Sequence, residues 1–201
     1  LFVFVFMVGT CFSQGKAQTK SAVSYKNPVV DIAMPDPTVI KAADGYFYVY
    51  ATESTRNVPI MKSKDLVQWT YCNTAFTNKT RPRFEPKAGI WAPDINYING
   101  KYVLYYAMSV WGGEQTCGIG VATADSPQGP FTDHGKMFRS NEIGVQNSID
   151  PSLLQYEGRN YLVWGSFRGI YVIELTADGL SIMPGAKKKR IAGTAFEAVY
   201  I

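Results

Sequence analysis

Asp44-Gly45-Tyr46-Phe47-Tyr48-Val49-Tyr50 decides the fold, because the same pattern returns as Asn99-Gly100-Lys101-Tyr102-Val103-Leu104-Tyr105-Tyr106 and as Glu157-Gly158-Arg159-Asn160-Tyr161-Leu162-Val163-Trp164. Asp-Gly and Asn-Gly tolerate the positive φ angles of tight hairpin turns, so each copy predicts a strand folding back onto an aromatic partner. A third strand follows in each unit, at residues 58–62, 118–123 and 169–175, and a shorter fourth is suggested by Gln68-Trp69-Thr70 and Pro130-Phe131-Thr132. Four antiparallel strands per unit read as the blade of a β-propeller with the first strand innermost. No stretch shows sustained helical periodicity.

Upstream of each turn stands an acidic residue. Asp36, Asp94, Asp150 and Glu197 are spaced by 94 − 36 = 58, 150 − 94 = 56 and 197 − 150 = 47 residues, each at the head of a short apolar segment. One carboxylate per repeat, aimed at a common axis, predicts an acid-lined pocket. Three units fill residues 29–192 and a fourth begins at Thr194, so Ile201 is expected to fall inside that unit's first strand. Propeller rings close with about four to eight blades, and the chain is therefore expected to hold part of a ring and to be inactive by itself.

Composition agrees with an exported all-β protein. Aromatic residues at 14% and charged residues at 18% suit sheets with exposed aromatic surfaces better than a solvated helical protein. The net charge of +4 owes much to Lys187-Lys188-Lys189-Arg190, expected to top a loop between units rather than to grip nucleic acid. Residues 1–12 form an apolar run too short to span a bilayer, followed by small and polar residues, which predicts the core of an N-terminally truncated signal peptide, with signal peptide and linker together filling residues 1–24. Secreted or periplasmic export is expected, with a lipid anchor through Cys11 in Val8-Gly9-Thr10-Cys11 as the alternative. Cys72 and Cys117 either pair in an oxidising compartment or remain free thiols.

The acids sit in distinctive surroundings. Met34-Pro35-Asp36-Pro37-Thr38 sets Asp36 between two prolines at a rigid strand entrance, and Asp150-Pro151 repeats the Asp-Pro step. An Asp before Pro is ordinarily a turn former; two of them at matched places in repeated units favour a site. Glu197 lies in an apolar segment where burial near other acids would raise its pKa, the state a general acid needs near neutral pH. Trp91, Trp111 and Phe167 offer flat faces on which sugar rings stack, while Trp164, inside a strand, is assigned to the core. His134, the chain's single histidine, reads as a turn residue, and no cluster of histidines or cysteines points to zinc.

The ordered set Pro35-Asp36-Pro37-Thr38, Ser63-Lys64-Asp65-Leu66-Val67-Gln68-Trp69, Trp91-Ala92-Pro93-Asp94, Asn147-Ser148-Ile149-Asp150-Pro151, Gly165-Ser166-Phe167 and Phe196-Glu197 resembles glycoside hydrolase family 43, nearest to its arabinan endo-1,5-α-L-arabinosidases, over residues 28–201. The resemblance implies a five-bladed propeller, of which this chain would hold about three blades and the first strand of a fourth in a catalytic domain at residues 25–201. It implies Asp36 as general base, Glu197 as general acid, and Asp150 as the residue that raises and orients the acid. Trp91 would stack on a sugar, and Asn147 and Ser166 would line the central subsite. Trp111, Phe167 and Asp94 join the substrate-binding candidates, with Asp94 better suited to a supporting place. The family tends to carry calcium on the propeller axis, held through a histidine of the last blade; residues 1–201 require no cofactor of their own.

Base and acid on different blades leave room for a water between them, which predicts inversion and a carboxyl separation of roughly 6.5–9.5 Å. The expected partners are arabinan or related arabinoxylan and xylan chains, with no nucleic acid and no membrane span. The sequence departs from the arabinanase pattern at Ala198-Val199 and at Ser148, which loosens the substrate assignment. An exo-acting α-L-arabinofuranosidase or β-xylosidase is the rival within the enzyme class, and a non-catalytic sugar-binding propeller is the rival outside it.

Overall fold

A computed structural model describes residues 24–200, and the signal-peptide and Cys11 expectations, like Ile201, lie outside the described residues. The repeated turn-and-strand pattern folds into three consecutive four-stranded antiparallel sheets. The first holds β1 (Thr38–Lys41), β2 (Phe47–Tyr50), β3 (Pro59–Ser63) and β4 (Trp69–Thr74). The second holds β5 (Gly89–Ile98), β6 (Lys101–Ser109), β7 (Gly118–Ala124) and β8 (Thr132–Arg139). After one helical turn, α1 (Ser140–Ile143), the third holds β9 (Ser152–Tyr156), β10 (Arg159–Trp164), β11 (Ile170–Glu174) and β12 (Lys189–Ala192). β1 packs against β5 and β5 against β9, so the first strands meet at the centre, as in propeller blades.

Two of the three signature turns have the two-residue form. Ile98 pairs with Lys101 around Asn99 (φ 49°) and Gly100 (φ 84°), and Tyr156 pairs with Arg159 around Glu157 (φ 49°) and Gly158 (φ 72°). Positive φ at both central residues matches the right-handed twist of the flanking strands. The first turn is wider: Lys41 pairs with Phe47, and the Asp44 carboxylate accepts both the Tyr46 amide (3.0 Å) and the Tyr48 hydroxyl (2.7 Å).

β6 shows why the aromatic strands carry the core. Leu104, Tyr106 and Met108 point between the first and second sheets, while Val103 and Tyr105 point between the second and third. A strand buried on both faces reads as a continuous apolar run, not as an alternation. The buried hydroxyls are satisfied across blades: Tyr50 donates to the Pro127 carbonyl and Tyr105 to that of Gly179 (2.8 Å). Trp164 is fully buried, as expected, with its indole N–H on Ser148 Oγ at 3.1 Å.

Three local expectations change. Lys189 and Arg190 lie in β12, the outer strand of the third sheet, not in a loop; an exposed edge carries charge where an inner strand could not. His134 lies within β8 beside an irregularity in the ladder, with Nε2 2.8 Å from Thr123 Oγ1, rather than in a turn. Residues 193–200, expected to begin a first strand, form none. Cys72 and Cys117 are both free. No helix of the described residues is long and apolar enough to cross a membrane.

Candidate active site

One backbone triplet recurs in each unit, at the head of β1 (Asp36-Pro37-Thr38) and β9 (Asp150-Pro151-Ser152), at the irregularity inside β5 (Ala92-Pro93-Asp94) and in the strandless segment Ala198-Val199-Tyr200. The first residue of each has positive φ (48°, 40°, 56° and 49°), and the four triplets together line one small axial cavity. Left-handed backbone at non-glycine residues costs on the order of 1–3 kcal/mol each and persists where surrounding structure enforces it. The triplets correct the expectation of one acid per matched register. Asp36 and Asp150 are equivalent; Asp94 stands two residues later, at the place of Thr38 and Ser152, and Glu197 stands one residue before its triplet.

That offset separates the acids by task. Asp94 is buried and accepts from the Leu153 backbone N–H (2.7 Å), Asn96 Nδ2 (2.8 Å) and Thr38 Oγ1 (3.5 Å). It joins the inner strands of all three sheets. Burial pushes its carboxyl up to about 6 against the pull of those donors. Asp94 lines the small axial cavity and not the large cleft, and its oxygens accept from the neighbouring strands, in keeping with a supporting place.

Asp36, Asp150 and Glu197 do meet, lining one cleft of about 520 Å³. That volume lies within the usual range for ligand sites, about 300–1,000 Å³. Asp36 is oriented by Thr52, whose hydroxyl donates to Asp36 Oδ2 (2.5 Å) and accepts from the Ala92 N–H (2.7 Å), and whose own N–H donates to the Pro35 carbonyl (2.9 Å). Thr52 carries no motif; only the tertiary fold brings it sixteen residues back to Asp36.

Asp150 is the buried member. Its carboxyl is pushed up to about 7, first by burial, then by the negative charges of Glu197 and Asp36, while the Ala198 N–H pulls the other way. Its Oδ2 is buried without a hydrogen-bond partner. Glu197, expected to be buried, is exposed at the cleft's edge in a segment without a strand. The segment is tied down by the Phe167 N–H donating to the Phe196 carbonyl (2.8 Å) and by the Ala198 contact to Asp150.

Five of the six substrate-binding candidates line this cleft: Trp91, Trp111, Asn147, Ser166 and Phe167. Trp111 is 95% exposed, which makes it a surface and not core, and its ring lies 6.4 Å from that of Trp91 at 58°. Gly89 allows this pose, since a Cβ there would stand 2.4 Å from Trp91 Nε1. Asn147 spends its amide on the Ser166 carbonyl (3.0 Å), bracing the third blade's loop. Glu114, also lining the cleft, was missed, as was its partner Arg168; isolated charges in loops give no sequence signal. The motif Ser63–Trp69 proves to be a turn, with Asp65 Oδ1 accepting the Val67 and Gln68 amides (2.9 and 2.7 Å).

The described residues do not assemble a calcium site. Asp94's oxygens are taken up by backbone and side-chain donors, Asp150 is held toward its neutral form, and His134 lies on an outer strand. No group of three metal-ligating side chains occurs among the described residues.

Residues 25–201 match the family described as Glycosyl hydrolases family 43. The extracellular endo-α-(1→5)-L-arabinanase 1 of Bacillus subtilis is 38% identical over 140 residues, covering 66% of this chain and 43% of that protein. The Cellvibrio cellulosa α-L-arabinanase complexed with arabinohexaose superposes with a TM-score of 0.70 at 28% identity, over 81% of this chain and 54% of that one. An exo-1,5-α-L-arabinanase from a bovine ruminal metagenomic library gives 0.64 at 31%, over 77% and 54%. The chain spans less than half the length of the curated relatives it matches, 43% and 41% of the first two.

Proposed function

This chain belongs to glycosyl hydrolases family 43, and from that premise we propose that it carries the acid–base centre of a secreted enzyme that hydrolyses α-1,5-linked L-arabinofuranosyl bonds of arabinan with inversion, in plant polysaccharide breakdown. The observation that carries the reading is the convergence of Asp36, Asp150 and Glu197, from the first, third and fourth units, in one cleft with exposed Trp and Phe faces. The curated relative's description as extracellular supports export.

In this reading a water attacks the anomeric carbon as Asp36 accepts its proton. Glu197 delivers its proton to the departing glycosidic oxygen, and the carbon–oxygen bond breaks. Thr52 aims the Asp36 oxygen that accepts the proton. Asp150 responds to the charges on both sides, so it links the protonation of one to that of the other. The sequence alone assigned the raised pKa to Glu197. Burial raises Asp150 as well, and its neutral form would let both flanking carboxyls approach without a third charge between them. Exposed rings at Trp111 and Phe167 bind the apolar faces of furanose rings, while Ser166 and Asn147 approach the hydroxyls.

Exo action is the second reading, favoured by the likeness to an exo-arabinanase. Product analysis on debranched linear arabinan, with the full-length protein and its Glu197→Gln variant, separates the readings. Short arabino-oligosaccharides of inverted anomeric configuration that vanish in the variant are expected. Monomer alone would establish exo action, and binding without any product would leave a sugar-binding propeller.

A further inference from the structure

The two most exposed aromatic faces of the cleft stand on loops of adjacent blades, and one ion pair ties those loops together. Trp111 occupies the β6–β7 loop, and Phe167, 46% exposed with φ 51°, occupies the β10–β11 loop. Glu114 follows Trp111 by three residues and Arg168 follows Phe167 by one. Arg168 donates from Nε to Glu114 Oε2 (3.0 Å) and from Nη2 to Oε1 (3.1 Å), a two-pronged contact between residues 54 apart. Glu114 Oε2 also accepts from Gln146 Nε2 (2.6 Å), and the Glu114 carbonyl accepts from the Asn147 N–H (2.7 Å).

Single exposed ion pairs are ordinarily worth little. This one differs in geometry and place. Fork-to-fork contacts fix direction as well as distance. The other backbone bonds of the Trp111 loop are internal, as from Gly113 N–H to Val110 (2.8 Å), or run to residues before β9, as from Asn141 to Gln115 (3.1 Å). Glu114 to Arg168 is the direct link to the loop bearing Phe167, beside the indirect one in which Asn147 donates to the Glu114 and Ser166 carbonyls. From there the Phe167 N–H holds Phe196, beside Glu197.

We propose that the Glu114–Arg168 pair is a positioning clamp that sets the opening between Trp111 and Phe167, so that the cleft favours a glycan long enough to lie against both rings over a short one. The clamp rests on the reading of this cleft as a glycan site. Glu114 and Arg168 act through the two rings and do not touch the reacting atoms.

The test is calorimetric titration of the full-length protein in a Glu197→Gln background with arabinohexaose and with arabinobiose. Glu114→Gln and Arg168→Gln are each expected to weaken arabinohexaose about fivefold, the scale of a partly exposed two-pronged pair, and to leave arabinobiose unchanged. The charge reversal Glu114→Arg with Arg168→Glu should restore most of the loss. Where Arg168→Gln does not fold, Arg168→Lys keeps the charge and loses the fork, and the same selective weakening is expected. Equal weakening of both sugars, no weakening, or a reversal no better than the single changes would overturn the clamp. A native protein that binds arabinohexaose and cleaves nothing would overturn the hydrolase reading alone, leaving the clamp to the affinities; failure to bind either sugar would overturn both.

Discussion

Asp150 concentrates the residue-scale physics of the site. Its ordinary pKa lies near 3.8, and burial with two neighbouring carboxyls pushes it up to about 7. The unfolded chain therefore ionises Asp150 at a lower pH than the folded one. The stability this group contributes is fully present below about pH 4 and is lost as pH rises through about 7. Asp150→Asn cannot ionise, so its stability relative to the native chain should rise between pH 4 and pH 8, by roughly 2–4 kcal/mol. Urea denaturation at both pH values reads this directly, and a difference independent of pH would refute the raised pKa. The Asp-Pro steps were legible as a site from residue types. Which acid would be buried was not, because burial depends on what other segments cover it.

At the scale of elements, the β6–β7 pairing shows how close packing rests on one missing side chain. Tyr106 pairs with Gly120 across the strands, and a Cβ on Gly120 would stand 2.4 Å from the Tyr106 ring. The ring has no room to yield, since it is buried and its hydroxyl donates to Asp133 Oδ1 at 2.5 Å. Gly120→Ala should cost about 1–3 kcal/mol by chemical denaturation, the usual cost of overpacking. A neutral result would show that the ring can swing away. The hairpins themselves were legible, since the aromatic run and the Asn-Gly turn both act within a few residues. The edge strand β12 was not, because Lys189 and Arg190 are acceptable in a strand only on the outer edge of a sheet, and edge position is a property of the whole sheet.

For the whole molecule, Asp94 is the joint that turns three separate sheets into one ring segment. It takes donors from the first sheet through Thr38, from its own through Asn96 and from the third through Leu153. Asp94→Ala leaves the buried Leu153 N–H without that acceptor and should lower stability by about 1–3 kcal/mol. Hydrogen exchange should rise first at the amides of β1 and β9, where they face β5. Protection lost evenly over the molecule would argue that Asp94 is not the joint.

The sequence by itself determined the repeat, the all-β class, the family and the three acids that converge, because each is written in local patterns: turn residues, aromatic and apolar runs and short motifs. Tertiary structure alone decided the register in which the acids stand, the burial of Asp150, the exposure of Glu197 and the pairings of Thr52 with Asp36 and of Glu114 with Arg168. Those properties are set by contacts between units tens of residues apart, and such contacts acquire their energies only once the blades pack and water is excluded between them.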